Sequence, residues 1–323
     1  MQVKAREKIM IYTCTMNPAI DLFTEFNSFE PHLVNRSIFE DYQANGKTIN
    51  ISFMLKKMGI DSVATGFLGG FTGNYIDAEL NRTGIATDFV VIDGITRINT
   101  FIKAGTKEYK AVNRGPEISL AAQAQLIDKI SKLTSEDMMF VSGSLPRGVD
   151  DSILKRISEL SAQKGFQLIL DVSSNALLSC LEDRPYLIKP SDEELAAWLD
   201  VKPESFNNEA RLIEAAEKLL KKGTQRILVS RGEKGTMYAD GEKVMFTTAP
   251  KGEVVNTACA GDTLLGTFVG SQIKNKNLED ALIYATAAGS STAFTAGLSD
   301  LNDVPELMKQ IKLTTHLKGA RES

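Results

Sequence analysis

The stretch Val255-Asn256-Thr257-Ala258-Cys259-Ala260-Gly261-Asp262-Thr263 carries strand-like residues into small ones, then into a helix start whose first turn holds one carboxylate. Unpaired N–H groups at a helix start favour a phosphate or a developing oxyanion, and small residues let the backbone approach it closely. An acid placed there either caps the helix or serves as a base beside the anion, and the segment alone leaves both readings open. His32 and His316 are the chain's two imidazoles, the second in a polar tail. Ser-His-Asp or Cys-His chemistry therefore has little material, and general-base work falls to a carboxylate. Cys14, Cys180 and Cys259 are odd in number, far apart and without CxxC spacing, which argues against a disulfide framework and a zinc knuckle.

Four other constellations place polar groups where a ligand could use them. Asn45-Gly46-Lys47-Thr48 ends like a GxxxxGK[ST] phosphate loop, but the first glycine of that pattern would fall at Asp41, which argues against one. What remains is a small-residue turn at Gly46, a lysine, and a helix start with Asn50 one turn in. Lys47 supplies a point charge and Asn50 both donates and accepts, a set suited to a sugar and its phosphate and equally to an ordinary surface. Asp21, in Asn17-Pro18-Ala19-Ile20-Asp21, projects from the end of the first strand, where it grips a polyol hydroxyl or closes a turn. In Ser230-Arg231-Gly232-Glu233-Lys234-Gly235, Ser230 ends another strand, and Gly232 and Gly235 allow close approach by a nucleotide, although such turns are common. Arg97 and Asn99 flank Ile98 in a strand, so both face one side, toward a ligand or toward solvent.

The elements that must position these residues alternate. Met138 to Val141 precedes a helix near Asp151 to Lys164, followed by Gln167 to Asp171 and a shorter helix near Asn175 to Leu181. Leu187-Ile188-Lys189 leads into Ser191-Asp192-Glu193-Glu194, which has capping-box spacing, and Glu209 to Lys222 forms a helix closed by Gly223 before Arg226 to Ser230. Repeated βα units imply a mainly parallel sheet with helices on both faces, whose ligands bind outside the strand C-termini. Ser142, Gly143, Asp171, Lys189, Ser230 and the 256–262 turn then share one rim. Phe23 to Tyr42 and Asp88 to Val112 read as strands without helices between them, with a hairpin turn at Lys103 to Lys107. They form a small β appendage over the rim, about 22–44 and 88–114. Residues 1–9 read as a loose extension and 10–323 as one α/β domain.

Composition narrows the classes further. With 43% hydrophobic residues over 323 positions the chain can bury one large core. A net charge of −4 with scattered lysines and arginines gives no footprint for nucleic acid. No apolar run approaches the roughly 20 residues that span a bilayer, and the start lacks a signal-peptide pattern, so no membrane is expected and the location is cytoplasmic. Gly66-Phe67-Leu68-Gly69-Gly70 lacks GxGxxG spacing, which argues against a nicotinamide dehydrogenase.

In order along the chain, Thr15-Met16-Asn17-Pro18-Ala19-Ile20-Asp21, Asn45-Gly46-Lys47-Thr48-Ile49-Asn50, Thr96-Arg97-Ile98-Asn99, Gly143-Ser144-Leu145-Pro146, Ile188-Lys189-Pro190 and Ala260-Gly261-Asp262 resemble the ribokinase-like (PfkB) sugar kinases. The resemblance runs from Met10 over nearly the whole chain and is greatest to the phosphosugar branch, 1-phosphofructokinase and tagatose-6-phosphate kinase. It implies a Rossmann-like core with a β lid that often pairs with a second subunit, and ATP with Mg²⁺ as phosphoryl donor. By the same resemblance Asp262 is the base, and the amides around Ala260 and Gly261 stabilise the moving phosphoryl group. Asp21, Gly46, Asn50 and Asn99 hold the sugar, while Lys47 and Arg97 neutralise its phosphate. Ser230, Gly232, Gly235, Lys189 and Cys259 border the nucleotide, and Glu194 serves Mg²⁺ through water. Four positions depart from the family pattern. Asn45 and Thr48 stand where Gly-Gly-Lys-Gly has glycines, Cys259 replaces the first glycine of Gly-Ala-Gly-Asp, and Ser191 replaces the Asn of Asn-x-x-Glu. The implied reaction is phosphorylation of fructose 1-phosphate to the 1,6-bisphosphate. Tagatose 6-phosphate is the alternative acceptor, and a catalytically weak sugar-phosphate sensor is the alternative of another class.

Overall fold

The computed structural model describes residues 9–317; the extension expected over 1–9 lies, except for Ile9, outside them. The first strand, β1 (Met10–Thr15), leads into β2 (Ala19–Phe26), β3 (Phe39–Asn45) and helix α1 (Lys47–Lys57). Then come β4 (Val63–Leu68), α2 (Gly70–Arg82), the two-residue strands β5 (Ala86–Thr87) and β6 (Val90–Val91), and the hairpin β7 (Arg97–Ala104) and β8 (Lys107–Ala111). Helix α3 (Leu120–Ile130) precedes β9 (Asp137–Ser142), α4 (Ser152–Lys164), β10 (Gln167–Asp171), α5 (Leu177–Cys180), β11 (Leu187–Ile188), α6 (Asp192–Trp198) and α7 (Glu209–Lys222). Strands β12 (Ile227–Ser230), β13 (Thr236–Ala239) and β14 (Lys243–Thr247), helices α8 (Ala260–Ile273), α9 (Leu278–Ala293) and α10 (Val304–Met308), and β15 (Leu313–Leu317) complete the chain.

The large sheet runs β15-β14-β13-β12-β11-β10-β9-β1-β4-β5, with β6 also on β4. From β12 to β5 every pairing is parallel, as the βα alternation requires. Strands β13, β14 and β15 extend it antiparallel, an edge the alternation did not announce. Both faces are covered. Leu126, Ile157, Leu212 and Leu219 from α3, α4 and α7 pack on one side, and Ile51, Leu55, Leu265, Phe268 and Ala281 from α1, α8 and α9 on the other. This is why β9, with Met138, Met139, Phe140 and Val141 all buried, reads as a continuous apolar run. Helix α7 shows the surface pattern instead: Leu212, Ala215, Ala216 and Leu219 face inward, and the Asn208 side chain caps its start by accepting from the Ala210 N–H at 2.9 Å. Helix α8 is buried on every side from Asp262 through Ser271, so the core fixes its N-terminus.

A second, four-stranded sheet has the order β3-β2-β7-β8. It begins at Ala19, earlier than the appendage expected from residue 22, and Asp21 therefore lies within β2 rather than at the end of the first strand. Val90–Val91 pairs with Phe67–Leu68 of the large sheet, so the small sheet's second segment starts only at Arg97. Its register sets Ala19 beside both Asn45 and Arg97, and Asp21 beside Asn99. Because side chains alternate, Asp21, Asn45, Arg97 and Asn99 share one face, while Ile20, Ala44 and Ile98 pack on the other with Ile49 and Leu68.

Candidate active site

Cys259 caps the start of α8 with φ +63°, the left-handed conformation, and Ala260, Gly261 and Asp262 form the first turn. The Asp262 carboxylate is not spent on capping: its Oδ2 accepts from Asn50 Nδ2 at 2.8 Å across the gap to α1. Asp262 is buried, and desolvation, reinforced by the charge of Asp171, raises its pKa to about 6 against the pull of Asn50, Lys47 and Lys189. A carboxylate poised near neutrality in an anion-favouring turn is suited to general-base work.

Asp171, placed on the rim by the sequence but given no role there, organises the charge. At the end of β10 its carboxylate is 0% exposed, and Oδ1 lies 3.2 Å from both Lys47 Nζ and Lys189 Nζ. Burial alone would raise the Asp171 pKa, but the two ammonium groups outweigh it and hold the group ionised. Burial likewise works against the charge of Lys47, and Asp171, Asp262 and Glu194 together leave its pKa raised. Lys47 thus stands beside the base and the buried aspartate. Lys189 reaches the same place: its Nζ lies 3.4 Å from where a Cβ on Gly261 would sit. Two cations therefore face the α8 turn.

The side on which an acceptor is expected is built on the small sheet. Asp21 Oδ1 accepts from Asn99 Nδ2 at 2.8 Å and Oδ2 from Asn45 Nδ2 at 2.5 Å. Arg97 donates at 2.8 Å to the Asn113 carbonyl and at 2.8 Å to the Asn17 carbonyl, leaving its buried Nε without a protein partner. The guanidinium is fixed by backbone and keeps donor capacity for an anion. Asn17 Nδ2 in turn donates to Ser144 Oγ at 3.2 Å, which joins the Asn17-Pro18 and Gly143-Ser144 segments. Gly46 must be glycine, because a Cβ there would come within 2.7 Å of Thr15 Cγ2.

On the other side of the α8 turn lies a cleft of ≈ 870 Å³, walled by Ser230, Gly232, Gly235, Thr236, Pro250, Ala260, Gly261, Ala293 and Phe294. Its size suits a nucleotide. Ser230, Gly232 and Gly235, which the sequence reading gave to a nucleotide, line this cleft. Gly235, at φ +92°, packs so tightly on the Thr247 carbonyl that no side chain fits. Cys259 is placed differently: its thiol accepts from Asn50 Nδ2 at 3.2 Å and so faces the acceptor side, not the cleft. Lys189 is also not a wall of the cleft but part of the Asp171 cluster. The walls from residues 249–254 and 286–294 went unrecognised in the sequence. Their one signal is the small-residue run Thr286-Ala287-Ala288-Gly289-Ser290, where Gly289 lets α9 approach the Ala260 carbonyl.

Glu194 is committed to the helix α6 cap. Its Oε2 accepts from the Ser191 N–H at 2.9 Å, its Oε1 from Ser173 Oγ at 2.5 Å, and Ser191 Oγ accepts from the Glu194 N–H at 3.1 Å. No group of three or more His, Cys, Asp or Glu side chains is assembled as a metal cage among the described residues. No helix among them is long and apolar enough to cross a membrane.

The family model for pfkB carbohydrate kinases matches residues 7–305. The chain belongs to that family. It is 50% identical to the D-tagatose-1-phosphate kinase of Bacillus licheniformis over 94% of this chain and 99% of that one. It is 33% identical to the 1-phosphofructokinase of Bacillus subtilis, over 94% and 99% respectively. Phosphofructokinase-2 from Escherichia coli, in a crystal structure with potassium, superposes with a TM-score of 0.86 at 25% identity, over 93% of this chain and 98% of that one. This pfkB kinase therefore has the ribokinase-like architecture and is a phosphotransferase with an alcohol group as acceptor.

Asp262→Asn lowers turnover by roughly 10²–10⁴-fold, and the wild-type rate rises with pH through about 6 as the base ionises. Because the folded pKa of Asp262 lies above its unfolded value, the native state holds the extra proton. Wild-type stability then falls as pH rises from about 4 to 6, and Asp262→Asn, titrated with urea, removes that fall. Cys259→Gly relieves a left-handed non-glycine residue and raises stability by about 1 kcal/mol, read in the same titration at fixed pH.

Proposed function

We propose that this kinase transfers the γ-phosphoryl group of ATP to the free primary hydroxyl of a ketohexose 1-phosphate, giving the 1,6-bisphosphate. The observation that carries the reading is the buried Asp262 carboxylate, with a pKa of about 6, between the acceptor-side asparagines and a turn faced by two lysines. Asp262 takes the hydroxyl proton as the oxygen attacks the γ-phosphorus and the bond to the leaving ADP breaks. The amides of the Ala260–Gly261 turn, with Lys47 and Lys189, balance charge on the moving phosphoryl group. Asp21, Asn50 and Asn99 hold sugar hydroxyls, and Arg97, with its unpartnered Nε, takes the phosphate already present. The cleft at Ser230, Gly232 and Gly235 takes the nucleotide.

Mg²⁺ fits this donor set as an ion carried in on the nucleotide, since both Glu194 oxygens are already occupied and both lysines lie on Asp171 Oδ1, which leaves the buried Asp171 Oδ2 as the one carboxylate oxygen of the pair without a partner. When bound it supplies charge neutralisation of the phosphates, with Glu194 reached through water. Tagatose 1-phosphate stands ahead of fructose 1-phosphate because the relative acting on tagatose 1-phosphate is 50% identical and the one named for 1-phosphofructokinase activity 33%. Soluble phosphosugars and ATP as substrates fit a cytoplasmic location.

The test is ADP release by the purified protein with Mg·ATP against tagatose 1-phosphate, fructose 1-phosphate, tagatose 6-phosphate, fructose 6-phosphate and fructose. Saturable turnover is expected with the 1-phosphates, tagatose first, and lost in Asp262→Asn. Turnover confined to a 6-phosphate overturns the acceptor assignment, and tight phosphosugar binding without turnover turns the reading to a sensor. Exposed Ile38, just before β3, and Phe39 and Tyr42 within it fit a second copy's lid. A sizing column is then expected to return twice the chain's mass, and the monomer mass would sink that pairing.

A further inference from the structure

Asn45 occupies the last position of β3, where the family pattern carries a glycine, and its side chain makes contacts that a glycine cannot. Its Nδ2 donates to Asp21 Oδ2 at 2.5 Å. Its Oδ1 accepts from the Gly46 N–H at 2.6 Å and from Asn50 Nδ2 at 3.0 Å. Flipping the amide would turn its carbonyl against the Asp21 carboxylate and its NH₂ against a backbone N–H, so only one orientation satisfies both ends. That orientation fixes Asn50 in turn. The Asn50 NH₂ faces three acceptors, Asn45 Oδ1, Asp262 Oδ2 at 2.8 Å and Cys259 Sγ at 3.2 Å, with two hydrogens to share among them. On the far side, Asp21 Oδ1 takes Asn99 Nδ2, and Asn99 Oδ1 takes the Asn113 N–H at 3.1 Å. An unbroken line of hydrogen bonds thus runs from the small sheet to the base.

We propose that Asn45 is a positioning residue for phosphoryl transfer: its single amide ties the acceptor-binding Asp21 to Asn50, and so to the orientation of the Asp262 carboxylate. The inference rests on the kinase reading above. A glycine at this position could make neither contact, whereas this chain carries the connection from Asp21 to Asn50 as part of its fold. Gly46, whose N–H the amide accepts, lies against Thr15 with no room for a Cβ. Asp262 is also faced by Asp171 from β10, by Lys47 from α1, by Lys189 beyond β11 and by Cys259 of its own turn, and Asp21 lies behind Asn45. Asp21 and Cys259 also lose a contact when Asn45 is shortened, so a shift in the titration of the base is assigned to Asn50 by the cycle with Asn50→Ala.

The test is the pH–rate profile of Asn45→Ala and Asn45→Gly on the acceptor that the wild-type protein turns over, in a cycle with Asn50→Ala. Expected are a fall in kcat of roughly tenfold, within what a misplaced catalytic group costs, and an acid limb moved to higher pH as the donor on Asp262 loosens. The double variant Asn45→Ala/Asn50→Ala loses no more than Asn50→Ala alone. ATP affinity in the separate cleft stays at the wild-type value, which distinguishes mispositioning from misfolding. Wild-type kcat and acid limb in both Asn45 variants, or losses that multiply in the cycle, overturn the proposal while leaving the kinase reading intact. A wild-type protein inert toward every acceptor overturns that reading and this inference with it.

Discussion

Everything in the site answers to one electrostatic constraint, the presence of two buried carboxylates, Asp171 and Asp262, close enough to raise one another's cost of ionisation. An isolated buried carboxylate would take up a proton. Here Lys47 and Lys189 both lie on Asp171, which holds it ionised, and the residual repulsion falls on Asp262, whose partner is a neutral amide. The same arrangement sets the protonation of both acids and leaves two cations beside the turn where negative charge develops. Preorganised charge of this kind acts without rearrangement at the moment of reaction.

The fold serves that constraint by convergence. Lys47 and Asn50 come from the start of α1, Asp171 from the end of β10, Lys189 from beyond β11 and Asp262 from α8. All lie at the carboxyl rim of a parallel sheet, and α1 and α8 are buried against each other on the same face. The register of the small sheet adds Asp21, Asn99 and Arg97 from the opposite direction, while its other face packs on Ile49 of α1 and Leu68 of β4 and so joins the two sheets. A slip of one residue in β2 would turn Asp21 toward Ile49 and Leu68 and break the line to the base.

The departures from the family pattern fall into one neighbourhood. Cys259 and Asn45 both meet the Asn50 amide, so two residues where glycine is usual share a partner one hydrogen bond from Asp262. Cys259 keeps the left-handed conformation that glycine would adopt freely, and burial with Asp262 and Asp21 nearby pushes its thiol up to about 12. The thiol is thus a neutral wall of the acceptor side and no competitor for the base. Ser191, by contrast, closes a complete capping box with Glu194, which explains its presence by local structure alone.

By itself the sequence determined the alternating βα elements from β9 to β12 and their order. Hydrophobic periodicity, helix caps and glycine stops marked α4, α7 and the strands from β9 to β12 to within a residue or two, because these signals are local. It also determined which residue types were available for chemistry: with two histidines, general-base work was expected of a carboxylate, and the α8 turn left Asp262 open between a helix cap and that base. Only the tertiary structure decided what each group does. Lys47 and Lys189, 142 positions apart, meet at Asp171 through sheet order, which no local pattern encodes. The antiparallel edge of β13 to β15, the cleft walls from 249–254 and 286–294, and the orientation of the Cys259 thiol likewise depend on long-range packing. The same holds for Asn45, whose amide has a single orientation because Asp21 and Gly46 are brought to its two ends by strand register.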